Sequence, residues 1–160
     1  MDLEGKIDAR GVLLEEVVIA SADARAQMTL KKGTLVLDEQ GRPAGSISCI
    51  PYAPAESSDG LVVGLAYEFR WFRGASEEGE PTIAPAAKVV IKYDRPAANQ
   101  WIDLNRPDIA GWWVDGEKWV KRPLTQPVDL PTRTITTWQG KGCPVLVVIF
   151  WYLNIPPPVS

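Results

Sequence analysis

The chain contains no histidine. That absence removes the Ser-His-Asp type of nucleophilic triad, imidazole metal ligands and any imidazole acid–base role. Cysteine is scarce: Cys49 and Cys143 are the whole supply. Two thiols without histidine cannot complete a tetrahedral zinc site. They leave open both a single disulfide and two reduced thiols. No run of lysine and arginine exceeds two residues, as in Lys31–Lys32 and Lys121–Arg122, and 17 cations against 20 anions give a net charge of −3. Nucleic acid is not an expected partner, because affinity for it rests on clustered cations that neutralise phosphates. The glycines follow neither G-x-G-x-x-G nor G-x-x-x-x-G-K-S/T order, so no nucleotide-cradling loop is present. Long apolar runs are missing as well. The stretch from Pro144 to Leu153 is about half of the ~20 residues a helical membrane span needs, so no membrane insertion by this segment is expected. The opening Met1-Asp2-Leu3-Glu4-Gly5-Lys6 has neither the basic nor the apolar region of a signal peptide. No cofactor and no metal is expected.

What is present is turn and strand. The 160 residues suit one domain, which on surface scaling buries about 69% of its unfolded surface without needing metal or disulfide staples. The 13 glycines and 14 prolines make up 17% of the chain, and they interrupt almost every window long enough for a helix. Pro96 to Ile102 is the one helical candidate. Strand signals recur instead: Val12 to Ala20, Gln27 to Leu30, Thr34 to Leu37 and Ser46 to Ile50. The clearest alternation places Leu61, Val63, Leu65, Tyr67 and Phe69 on one face, with period two. Val89, Ile91 and Tyr93 repeat it, with Lys88 and Lys92 outward. Asp115-Gly116 between the runs Ile109 to Val114 and Glu117 to Lys121 is a strong hairpin signal. Thr132 to Trp138 and Pro144 to Leu153 complete an all-β antiparallel sandwich of about nine strands. Residues 1–10 read as a lead-in, 11–153 as the sandwich, and 154–160 as a stiff proline-rich exit, as though a further domain or an anchor followed.

Two blocks of weak motifs, in order, resemble a known family. The first carries Ser21, Asp23, Leu30, Gly33, Thr34, Asp38, Gly41 and Pro43. The second carries Tyr67, Phe69, Pro85, Tyr93, Asp94, Asp115, Gly116, Trp119, Val120, Asp129, Thr134 and Thr136. Over roughly Gly11 to Ile149 the pattern is similar to that of ZU-five-like β-sandwich domains, nearest to those of prokaryotic modular surface proteins. Versions in ankyrins and netrin receptors are more distant. The resemblance implies a non-catalytic module of a larger protein, at the cell surface or outside the cell. Some family members cleave themselves at His-Phe-Ser. Gly142-Cys143-Pro144 stands there in this chain, without base or hydroxyl, so self-cleavage is not expected. The stretch from Arg70 to Thr82 reads as a lengthened loop, a common location for function on a rigid scaffold.

Individual candidates are few. Glu15–Glu16, Glu77–Glu78–Glu80 and Asp103–Asp108 are conceivable glycosidase pairs but read as solvated loop charges. Asp103 to Asp108 alternates oxygen ligands in a way that suits calcium. Arg106 inside it, and the missing glycine and glutamate of an EF-hand, argue against that use. Seven tryptophans are many for this length. Most fit a sandwich core, and Trp112 and Trp113 must face opposite sides of one strand. Trp71, Phe72 and Arg73, at the start of the long loop, form the candidate binding cluster. The function expected is a structural, adhesion or protein-interaction module, with neighbouring domains or another protein as partners. The alternatives are a carbohydrate-binding domain that uses exposed tryptophan on polysaccharide, and an intracellular protein-docking domain of the ankyrin type. No catalytic residue is expected.

Overall fold

A computed structural model of the chain describes residues 1–52, 61–62, 66–73, 76–78, 82–94, 102–113, 118–122, 124–140 and 145–152. Among these residues every regular element is a strand: β1 (Val17–Ala20), β2 (Ala26–Leu30), β3 (Leu35–Leu37), β4 (Ser46–Tyr52), β5 (Leu61–Val62), β6 (Ala66–Arg73), β7 (Ser76–Glu78), β8 (Thr82–Ala84), β9 (Ala87–Lys92), β10 (Ile102–Trp113), β11 (Lys118–Arg122), β12 (Thr134–Gln139) and β13 (Val145–Tyr152). The thirteen exceed the expected nine or so because the run from Leu61 contributes both β5 and β6, the stretch expected as a loop carries β7, and β8 begins where that stretch ends. Among the described residues no helix is long and apolar enough to cross a membrane. The helical candidate 96–102 lies outside the described residues except for Ile102, which opens β10.

The strands form two main antiparallel sheets. One runs β1-β2-β9-β12. The other runs β11-β10-β13-β6-β4, with β5 added to β13 and β7 to β6. A third small sheet pairs β3 with β8. The inward rows of both main sheets meet in a single core. Ile19, Met28 and Val89 stand side by side across β1, β2 and β9. Ile47 and Trp71 face each other across β4 and β6, and Leu146, Val148 and Phe150 alternate along β13. Val89, Ile91 and Tyr93 point inward as the alternation requires, while Lys88 and Lys92 are exposed. The Asp115-Gly116 hairpin itself falls outside the described residues. Its flanks pair as expected, with Trp112 opposite Trp119 and Trp113 opposite Lys118. Residues 1–10 are built into the body. Leu3 is fully buried, its amide donates to the Gly45 carbonyl at 2.9 Å, and the Ile47 amide donates to the Met1 carbonyl at 2.9 Å.

Two turns use one device. In Asp8-Ala9-Arg10-Gly11-Val12, the Asp8 carboxylate accepts the amides of Arg10 and Val12 at 2.8 and 2.9 Å. The Asp8 amide donates to the Val12 carbonyl, and the Gly11 amide donates to the Asp8 carbonyl. Asp38-Glu39-Gln40-Gly41-Arg42 repeats every one of these bonds, with Gln40 and Arg42 as the donors to the carboxylate. An aspartate that ties its own backbone this way mimics a backbone turn. The fourth position then needs positive φ, which glycine adopts without steric cost: Gly11 at 90° and Gly41 at 79°. The two sites differ in their surroundings. A Cβ on Gly41 meets open space, whereas one on Gly11 lies 2.6 Å from Leu37 Cδ2 and 3.1 Å from the Val36 carbonyl oxygen. Gly41→Ala is expected to cost about 1–2 kcal/mol, from backbone strain alone. Gly11→Ala is expected to cost about 2–4 kcal/mol, because crowding adds to the strain. Urea unfolding of both variants measures the difference.

Candidate functional site

Three polar side chains from the two motif blocks, Ser21, Asp23 and Tyr67, converge where β1 turns into β2. Ser21 Oγ donates to Asp23 Oδ1 at 2.5 Å, and the Tyr67 hydroxyl donates to Asp23 Oδ2 at 2.6 Å. The Arg25 amide donates to Asp23 Oδ1 at 3.0 Å, and the Arg25 guanidinium pairs with Asp94 at 2.6 Å. Ala24, at φ 60°, closes the turn from β1 to β2. Burial works to raise the Asp23 pKa. The hydrogen bonds from Ser21 and Tyr67, the Arg25 amide and the Arg25 charge outweigh it and hold the carboxyl below its ordinary 3.8. Burial, followed by the bond to Asp23, raises the Tyr67 phenol. Cys49 is a free thiol. Burial and then the Asp23 charge push it up to about 12, so at neutral pH it is not a thiolate nucleophile. Cys143 lies outside the described residues. This cluster is closed upon itself and ties structure together.

The expected cluster of Trp71, Phe72 and Arg73 is not assembled as a surface. Trp71 is 1% exposed, and this corrects its assignment as a ligand contact. Period two carries the inward row Tyr67–Phe69 on to Trp71, because β6 runs to Arg73 where a loop was expected. The indole Nε1 of Trp71 has no hydrogen-bond partner among the described residues. Phe72 points to the opposite face and is half-buried, paired with Ser46 and Glu77. Arg73 pairs with Ser76 in the hairpin to β7; its side chain is outside the description. Of the carboxylate groups, Glu80 and the side chains of Glu77 and Glu78 lie outside the described residues. Glu15 pairs with Lys6 at 2.6 Å. Asp103 sits 4.0 Å from Arg106. Asp108 is not a solvated loop charge: it is buried in β10, with its Oδ1 accepting the Ile109 amide at 2.9 Å. Among the described residues no group of three or more Cys, Asp or Glu is placed to hold a metal ion.

Among the described residues the exposed tryptophan lies elsewhere. On the outer face of the four-stranded sheet, Val18, Thr29, Lys88 and Trp138 form one row across β1, β2, β9 and β12, set by the pairings Val18–Thr29, Thr29–Lys88 and Lys88–Trp138. Trp138 is 43% exposed. Beside this row runs a groove of about 520 Å³, walled by Thr29, Lys31, Lys88, Thr125, Gln126 and Trp138, with the corner at 85–87 closing one end. Thr125 is fixed by its backbone amide, which donates to the Thr136 carbonyl at 3.1 Å. Neither lysine makes an ion pair among the described residues, and the groove's described lining holds no carboxylate. Such a surface offers a ring face, hydroxyl and carboxamide groups, and two positive charges. Sequence reasoning singled out neither Trp138 nor this row. The signals were there in the outward Lys88 and in the strand ending at Trp138, but only the register joins residues 29, 88 and 138. A scan against protein-family models and a search of curated proteins each find no match for the chain.

Two outcomes follow. Trp71→Ala is expected to destabilise by about 3–5 kcal/mol and Trp138→Ala by about 1 kcal/mol, with acrylamide quenching reduced more in the latter than its share of the tryptophans. Asp23 has a lowered folded pKa, so its contribution to stability is present above 3.8 and is lost as pH falls through the folded value. Tyr67→Phe removes one bond to the carboxylate, costs about 1 kcal/mol at pH 7, and makes thermal stability below pH 4 fall less steeply than in the wild type.

Proposed function

We propose that the chain is a non-catalytic recognition module of a larger, cell-surface protein, and that the groove beside Trp138 binds polysaccharide. The observation that carries the reading is the row Thr29–Lys88–Trp138 on an open sheet face. The indole face of Trp138 suits stacking on the apolar face of a sugar ring. The threonines and Gln126 suit hydroxyl groups, and Lys31 and Lys88 favour a polymer that carries carboxylate or sulfate. Kinship with ZU-five-like domains is part of the same proposal. It is supported by the way Ser21 and Asp23, from one motif block, hydrogen-bond with each other and with Tyr67 from the other. The structural role, holding neighbouring domains in place, is compatible with binding on one outer face.

Tryptophan emission, followed while polygalacturonate, alginate and a neutral glucan are added, tests the reading. The expected result is an emission shift with the acidic polymers, weakened by salt and reduced about tenfold or more in apparent affinity by Trp138→Ala. No shift with any of the three polymers, or a shift unchanged in Trp138→Ala, overturns it.

A further inference from the structure

A second cavity, of about 370 Å³, shares no lining residue with the Trp138 groove. It opens between β10 and the turn before β12, and Tyr93, Leu104, Asn105, Leu130, Pro131 and Arg133 line it. At about 30 Å³ per water, its volume corresponds to roughly a dozen waters. β10 is irregular here: its pairing with β13 shifts register between Ile102 and Pro107. The Asn105 amide donates to Asp103 Oδ1 at 3.0 Å. Such irregularities re-aim side chains out of a sheet, and this one brings Leu104 and Asn105 to the cavity.

Tyr93 is 6% exposed. Its ring meets Phe150 edge-on, with centroids 5.5 Å apart, and it lines the cavity while its hydroxyl makes no hydrogen bond among the described residues. The ring is buried but the hydroxyl oxygen is not, so it stands at the cavity surface as an accessible donor. Burial, opposed by the Arg133 charge and assisted by Asp129, raises its pKa, so the group is a donor at neutral pH. Arg133 holds the left-handed region at φ 55°, a conformation that a long side chain seldom adopts. Its backbone carbonyl accepts the Tyr93 amide at 3.0 Å, and its guanidinium makes no ion pair among the described residues. Glycine would fit this backbone better; an arginine held there points to a use for its side chain.

We propose that this cavity is a binding site for a small organic monoanion, a carboxylate with a short branched or aromatic arm. The Arg133 fork takes the carboxylate, the Tyr93 hydroxyl and the Asn105 carboxamide donate to its oxygens, and Leu104, Leu130 and Pro131 cover the arm. Asp129 lies close enough to act on Tyr93, and its charge opposes any anion, a dianion more than a monoanion. A monoanion therefore suits the site better than a phosphate dianion. This site does not depend on the polysaccharide reading.

The test is titration of benzoate and of isovalerate into ¹⁵N-labelled protein at pH 7, with benzyl alcohol and inorganic phosphate as comparisons. Saturable shifts are expected at the amides of Tyr93, Asn105 and Arg133. Arg133→Gly keeps the turn and does not lower Tm, yet weakens benzoate binding about tenfold or more. Tyr93→Phe keeps the contact with Phe150 and weakens it severalfold. The proposal is overturned if neither carboxylate gives saturable shifts at millimolar concentration. It is also overturned if benzyl alcohol or phosphate binds as tightly as benzoate, or if both variants bind benzoate as the wild type does.

Discussion

The hydrogen bond from the Tyr67 hydroxyl to the Asp23 carboxylate joins positions 44 residues apart and two sheets that share no strand pairing. Apolar contact alone leaves two packed sheets free to slide, because it is non-directional. A directional bond between a buried phenol and a carboxylate already held by Ser21 and by the Arg25 amide removes that freedom. Tyr67 then presents Phe69 and Trp71 at fixed depth to the opposite sheet, and the core fills around them. The arrangement is self-consistent: Tyr67 leaves its ring in the core and its hydroxyl at the rim, where Asp23 is exposed enough to stay ionised.

Around this tie the chain uses aspartate as its standard corner. Asp8 and Asp38 each satisfy two amides of their own turn. The carboxylate of Asp38, fully buried, adds a bond from Arg42 Nε at 3.0 Å. Its burial is tolerable because these donors meet it, and together they hold its pKa below the ordinary value against the effect of burial. A protein with no imidazole thus stores its pH sensitivity in carboxylates.

The outline of the fold was legible because strands write a period of two into the sequence and turns write glycine and aspartate. Val89, Ile91 and Tyr93, the flanks of Asp115-Gly116, and the closing apolar strand were read on that basis. Trp71 was misplaced because the alternation was stopped at Phe69, although Trp71 continues it. The residues after it, Phe72 and Arg73, looked like a loop; β7 gives them a partner that no local signal announces. The groove was not legible at all, since residues 29, 88 and 138 become neighbours only through the register of three strands. The same holds for Leu104 and Asn105, whose direction depends on a local shift in pairing.

Cys49 shows what such placement means for the life of the molecule. Its thiol sits half-buried opposite Phe69 in the β4–β6 pair, beside a negative charge. With the pKa near 12, about one molecule in 10⁵ carries the reactive anion at pH 7. Peroxides and disulfide reagents act through that anion, so oxidation of this sulfur is slower than that of an ordinary exposed thiol. Burial first, and the charge of the aspartate that locks the sheets together second, therefore hold Cys49 as a protonated thiol at neutral pH.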